Sequence, residues 1–110
     1  MFEQDYILRL TKQLASLIAR VLGLRRKGAD DEALVAIEGA YGELFGLPEG
    51  LVDVMAPAEL ARLVGTREKA AMLAELLEAE AEIIAGRGDP LLAERKRTTA
   101  RGLRDAFPEA

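Results

Sequence analysis

Three glutamates have the spacing of a carboxylate metal site. Glu75, Glu78 and Glu82 follow one another at steps of three and four residues, which places them on one face of a helix. Carboxylates gathered in this way hold metal ions in helical bundles, and magnesium bound there could serve a small enzyme acting on a phosphorylated metabolite. A di-iron bundle would also require histidine, which the chain lacks. We therefore favour a solvated or salt-bridged face and predict no metal or other cofactor.

A stripe of arginines near the C terminus is the second feature that could carry chemistry. Arg97, Arg101 and Arg104 lie at helical spacing, and such a patch could hold phosphate or an acidic peptide, because guanidinium groups pair well with these anions. Predominantly basic and predominantly acidic segments also alternate along the chain. We favour pairing between the helices of each hairpin, and an adaptor that docks an acidic peptide on the stripe is the alternative. Nucleic-acid binding is not expected, because stacking aromatic residues are few.

The composition narrows the classes of function. The chain has no cysteine and no histidine, which excludes disulfides, thiol chemistry and the commonest zinc and iron ligand sets. Its net charge of -4 at pH 7 argues against general binding to nucleic acid or anionic lipid. The acidic start, Met1-Phe2-Glu3-Gln4-Asp5, is unlike a secretory signal, and no uncharged stretch is long enough to span a membrane. We expect a cytoplasmic protein that is not an enzyme.

Helices must position these side chains. Hydrophobic residues make up 50% of the chain and aromatic residues 5%, with Leu and Ala dominant, which favours an all-α fold. Apolar residues at alternating steps of three and four predict a long first helix over residues 4–27, which Gly28 ends.

The second helix is predicted over residues 30–44, with Asp30 or Asp31 as its cap. Gly39 and Gly42 lower helix propensity there, which suggests that the backbone closely approaches the first helix.

The second half of the chain repeats this organisation after a linker. Residues 48–64 predict one or two short helices. Thr66 is a suitable cap for a helix that reaches about residue 85. Asp89 as cap and Pro90 as first helical residue predict a final helix that reaches about residue 106.

The two halves align when the chain is shifted by sixty residues. Small residues recur at the same places around each turn: Gly28, Ala33 and Ala40 in the first copy, Gly88, Ala93 and Ala100 in the second. This spacing resembles the tetratricopeptide repeat, which implies that the small residues let two antiparallel helices pack closely. The copies lie sixty residues apart instead of thirty-four, and Leu24 or Ile84 stands where an aromatic residue is usual, so they resemble degenerate repeats with an insertion.

The start of the chain carries a further resemblance. Met1-Phe2-Glu3-Gln4-Asp5-Tyr6-Ile7-Leu8-Arg9, followed by a Leu-rich helix and the Gly28 turn, is similar to a family of short bacterial proteins of unknown function with tetratricopeptide-like helices. That resemblance implies the fold but transfers no activity and no catalytic residue.

Two copies are fewer than the three or more repeats that usually bury a continuous core. Apolar surface should therefore remain, and we predict a homodimer built from the long first helix, with the helix that follows Thr66, which has two apolar faces, as a second candidate element. A protein or peptide partner is also possible. The predicted interface residues are Phe2, Tyr6, Leu10, Leu17, Met72, Leu76 and Ile83.

These observations predict one all-α domain of five to six helices. It consists of a hairpin over residues 4–46, a helical linker over 47–65 and a hairpin over 66–107. The expected function is non-catalytic, namely protein–protein interaction or self-association.

Overall fold

The computed structural model describes the backbone of residues 2–107 and the side chains of residues 4–107. Within this range the regular elements are α-helices and no strand occurs, which confirms the predicted all-α fold. The helices are α1 (Phe2–Arg26), α2 (Asp30–Phe45), α3 (Leu51–Val54), α4 (Pro57–Val64), α5 (Arg67–Gly86) and α6 (Pro90–Asp105). None of them is both long and apolar enough to cross a bilayer.

The turns of the two hairpins have the same construction. Gly28 and Gly88 adopt φ angles of 76° and 89°, in the left-handed region that favours glycine. The amide of Ala29 then donates to the carbonyl of Leu24, and the amide of Asp89 donates to the carbonyl of Ile84. These bonds help to satisfy the carbonyl groups at the ends of α1 and α5, which also accept from the amides of Lys27 and Arg87.

Side-chain caps begin two of the helices. The Thr66 hydroxyl accepts a hydrogen bond from the Lys69 amide at 3.2 Å, and the Asp89 carboxylate accepts one from the Leu92 amide at 3.2 Å, as predicted. The start of α2 differs from the prediction. Its N-cap is Ala29, without a side-chain hydrogen bond, because α2 begins directly after the turn. Asp30 and its acidic neighbours lie inside the first turn, where they can only oppose the helix dipole.

Helix α5 lies at the centre of the fold and contacts α1, α2, α4 and α6. Its two apolar faces are both covered within the chain, with Leu73 and Leu77 on one and Leu76 and Ile83 on the other completely buried. The two apolar faces of α5 therefore have their two neighbours without a second copy. The linker supplies the missing neighbour, because it places α4 against α5 and α6.

The most crowded glycine described lies where α6 packs on α4. A Cβ atom added at Gly102 would lie 2.8 Å from Cγ of Pro57. By contrast, a Cβ at Gly39 would meet only the Glu43 carboxylate at 3.7 Å, and one at Gly42 would meet the Leu47 carbonyl at 3.5 Å. The predicted close approach of these two glycines to the first helix is therefore wrong, and the crowded glycine belongs to α6.

Candidate functional site

The cleft between α2 and α6 is the most promising functional site. Both helices pack on α5, and a space of about 710 Å³ remains between them. We call it the α2–α6 cleft: Val35 and Glu38 line its α2 side, Leu92 its α6 side, and Glu80 of α5 its base, while residues 47–53 close one end. Val35 is 70% exposed and Leu92 is 36% exposed. The cleft thus offers apolar contacts to another molecule.

A polar network lies at the base of the cleft and consists of the buried Tyr41, Glu80 and Lys96 together with the exposed Asp53. The Tyr41 hydroxyl donates to Oε1 of Glu80 at 2.6 Å. The ammonium of Lys96 lies 3.2 Å from the same oxygen and also donates to Oδ1 of Asp53. The side chains of Glu80 and Lys96 are only 4% and 8% exposed. Because the charges are paired and hydrogen-bonded, the network avoids the large cost of an isolated buried charge.

The network holds its two donors in their protonated forms. Burial, followed by the negative charge of Glu80 and the hydrogen bond to it, raises the pKa of Tyr41 far above its usual value of 10.0. For Lys96, burial alone lowers the pKa, but the hydrogen bond to Asp53 and the charges of Glu80 and Asp53 outweigh it and raise the pKa. At neutral pH the pair therefore presents a phenol and an ammonium, and both act as hydrogen-bond donors to Glu80.

One carboxylate oxygen of Glu80 retains acceptor capacity. Tyr41 and Lys96 both contact Oε1, and no side chain in the described range donates to Oε2. Every fully buried side-chain nitrogen and oxygen in that range has a hydrogen-bond partner. Glu80 lines the α2–α6 cleft, and its Oε2 is the oxygen of this carboxylate that accepts no hydrogen bond from a side chain in the described range.

The three glutamates with the spacing of a metal site lie on the surface of α5 and do not gather around one point. Glu75, Glu78 and Glu82 are exposed. Glu78 pairs with Arg104 at 2.7 Å, and Glu82 pairs with Arg25 at 3.3 Å. No group of three acidic side chains within the described range could hold a metal ion. The spacing on one helix face is correct, but the facing helices contribute arginines instead of further carboxylates.

The arginine stripe is partly neutralised by neighbouring acids. Arg101 pairs with Glu94 on the same helix at 2.7 Å, and this hydrogen bond lowers the pKa of the Glu94 carboxyl. Arg104 is occupied by Glu78, as described above, and Arg97 is half-buried. The stripe therefore offers an acidic peptide less free positive charge than its sequence indicates.

Salt bridges also join the two hairpins. Arg25 of α1 contacts Asp30 of α2 at 4.0 Å within its own hairpin, but it contacts Glu82 of α5 at the shorter distance of 3.3 Å. Arg87, in the turn before α6, pairs with Asp31 of α2. The predicted charge pairing within each hairpin is therefore incomplete, because residues near the turns of the two hairpins also form salt bridges with each other.

Most of the predicted interface lies in the interior. Leu10, Met72, Leu76 and Ile83 are buried in the chain's own core and are not available to a second copy. Leu17 is half-buried against the same core.

Within the described range, Tyr6 is the one residue of that predicted interface that is exposed. Tyr6 is 41% exposed, and the ammonium of Lys69 lies 4.5 Å from the centre of its ring. The side chain of Phe2 lies outside the described residues.

The small residues of the two repeats lie where the helices of each hairpin meet. Ala33 and Ala40 of α2 are buried, as are Ala93 and Ala100 of α6. With the turn residues Gly28 and Gly88, they occupy equivalent places in the two hairpins.

Sequence reasoning missed the central pair of the network, Glu80 and Lys96. The signal was nevertheless present. Glu80 falls four residues before Ile84 on the stripe that contains Leu73 and Leu77, and Lys96 falls between Ala93 and Ala100. Charges thus interrupt the apolar stripes of both helices of the second hairpin, and Glu80 and Lys96 have opposite signs. Such a pattern predicts a buried ion pair between partner helices.

The cleft can recognise another molecule through apolar contacts, through fixed hydrogen-bond donors and through carboxylate oxygens that can still accept hydrogen bonds. Comparison of the chain with protein-family models, curated proteins and solved structures found no match.

Proposed function

We propose that this chain is a non-catalytic, tetratricopeptide-like interaction module that binds a segment of another protein in the α2–α6 cleft. The observation that carries this proposal is the open cleft, with exposed Val35 and Leu92 above a fixed polar base. Helical folds commonly bind partner segments in grooves between helices, where apolar anchors supply affinity and a few polar groups supply orientation.

The protonation states of the buried network support binding over catalysis. A lysine nucleophile or general base needs a lowered pKa, so that the neutral amine is populated near neutral pH. Lys96 has a raised pKa because Asp53 and Glu80 stabilise its charged form despite burial. The pKa of Tyr41 is likewise raised, so its phenolate form is not populated near neutral pH. The network is therefore suited to holding the base of the cleft in one arrangement.

The proposal is tested by affinity capture from the cells that make the protein. The cleft variant carries Val35→Asp with Leu92→Asp, and the matched control carries Val54→Asp with Leu63→Asp, two residues that are 81% and 52% exposed outside the cleft. We expect the wild type and the control to retain the same proteins, and the cleft variant to lose at least one of them. Identical retention by all three, or none by any, would contradict the proposal.

Self-association through α1 is a second candidate function, favoured by one specific observation. Leu8 and Leu22 are 57% and 46% exposed, and each lies seven residues from the exposed Ala15. Two α1 helices that cross antiparallel at Ala15 would bring Leu8 of each copy against Leu22 of the other, and Asp5 near Arg26. Light scattering should then show a dimer that Leu8→Lys with Leu22→Lys abolishes. A monomer from micromolar to millimolar concentration would rule this arrangement out.

A further inference from the structure

We infer that the segment that binds the α2–α6 cleft is basic and amphipathic, with a lysine or arginine that enters beside the carboxylates and an apolar residue that contacts the exposed wall. This inference rests on the proposed function and specifies the partner's chemistry. The size of the cleft does not determine which kind of segment binds there, but the charge of its lining residues does.

Carboxylates outnumber cations in the cleft. Glu38, Glu49, Asp53 and Glu80 line it, and Lys96 is the only lysine or arginine among its lining residues in the described part of the chain. Glu38 and Glu49 are exposed at the rim. An incoming cation would therefore meet an excess of negative charge within a concave surface, where the field is focused.

The cation that is already present cannot balance this charge. The Lys96 ammonium is held between Asp53 and Glu80 at the base, and Glu38 and Glu49 form no salt bridge within the described residues. Oε2 of Glu80 also retains acceptor capacity, although the residue is 3% exposed. A carboxylate oxygen that is fixed in place and partly desolvated is a stronger partner for a guanidinium or ammonium than one on a mobile surface side chain.

The apolar wall adds a second requirement. Val35 and Leu92 lie on opposite sides of the cleft, and both expose side-chain surface that an occupant could cover. A purely cationic chain would leave this surface in water, whereas a segment with apolar residues next to its basic ones would bury it. Apolar anchors and basic residues on one short segment satisfy both parts of the cleft.

The test uses three designed amphipathic peptides, which combine leucine with lysine, with glutamate or with glutamine. Their binding is measured by fluorescence anisotropy to the wild type and to two variants with the same change in net charge. The cleft variant is Glu38→Gln with Glu49→Gln, which spares the buried network. The control is Glu68→Gln with Glu75→Gln, which removes two exposed acids outside the cleft.

We expect the lysine peptide to bind the wild type and the control with equal affinity, and the cleft variant roughly tenfold more weakly. Added salt should weaken this binding, because the rim charges are exposed. The glutamate peptide should not bind. Equal binding of the lysine peptide to both variants, its failure to bind the wild type, or a preference for the glutamate peptide would overturn the inference.

The glutamine peptide separates this inference from the proposed function. If it binds the wild type as well as the lysine peptide does, and Val35→Asp with Leu92→Asp abolishes its binding, the cleft is an interaction site without preference for basic partners. In that outcome the charge inference fails and the proposed function stands. The affinity-capture experiment described above tests the proposed function itself.

Discussion

Replacing Lys96 with methionine is the most direct test of the buried network. Methionine keeps an unbranched side chain of similar length but removes the ammonium, so Glu80 remains buried with Tyr41 as its only described donor. Removing one partner of a buried ion pair costs about 3–5 kcal/mol, because the remaining charge is uncompensated. A domain of this size has a total stability of about 5–15 kcal/mol, so we expect the loss of a large fraction of it.

The measurement is urea denaturation near neutral pH, followed by far-ultraviolet circular dichroism. Lys12→Met is the matched control, because Lys12 is exposed and a substitution there should change the free energy of unfolding by no more than about 0.5 kcal/mol. The triple variant Lys96→Met, Glu80→Met and Tyr41→Phe, which also leaves no buried hydroxyl without its acceptor, should recover most of the loss, since apolar residues of similar volume can replace a buried ion pair at little cost.

Two results would refute this reasoning. A loss below about 1 kcal/mol in Lys96→Met would show that the charge of Glu80 is solvated and not buried. A triple variant no more stable than the single one would show that lost packing, and not an uncompensated charge, explains the effect.

Two further predictions concern Tyr41 and the contact between α4 and α6. Folded Tyr41 has a raised pKa, whereas in the unfolded chain it ionises near its usual value of 10.0. Its contribution to stability is therefore complete below that pH and is lost as the pH rises further, by about 1.4 kcal/mol per pH unit. Tyr41→Phe should reduce this alkaline slope in urea titrations, and an unchanged slope would contradict a buried phenol. Gly102→Ala should destabilise the protein by about 1–3 kcal/mol, because its Cβ would overlap Pro57. Gly23→Ala should instead stabilise the protein by about 0.5–1 kcal/mol, because nothing lies within 4 Å of the added Cβ. Thermal melts measure both changes, and equal effects of the two substitutions would contradict the packing of α6 on α4.

The sequence predicts the helices well because their ends have local signals. Thr66, Asp89 and Pro90 act within one turn of chain, so their effect does not depend on the rest of the fold. The start of α2 has no single signal of this kind, since Asp30 and Asp31 are both good caps in isolation. Helix α2 begins directly after the Gly28 turn, so neither of them occupies the cap position.

The tertiary arrangement depends on contacts that no local signal specifies. Both apolar faces of α5 were recognisable, but whether the second face packs on another copy or on α4 depends on the path of the linker. The same applies to the cleft. Tyr41, Asp53, Glu80 and Lys96 are separated along the chain, and charged residues in helices are usually solvated. Only the position of the two opposite charges within apolar stripes indicated their burial.

The single oxygen that accepts from both Tyr41 and Lys96 has a consequence for how binding can be detected. Glu80 belongs to α5, Tyr41 to the first hairpin and Lys96 to the last helix, while Lys96 also holds Asp53 of the linker. All segments of the chain that form the cleft are thus tied to one point. A molecule that engages this point in the native state, and not in the unfolded chain, adds its binding free energy to the stability of the whole domain. The melting temperature of the protein is therefore itself a sensor of occupancy, which allows ligands to be screened without a label.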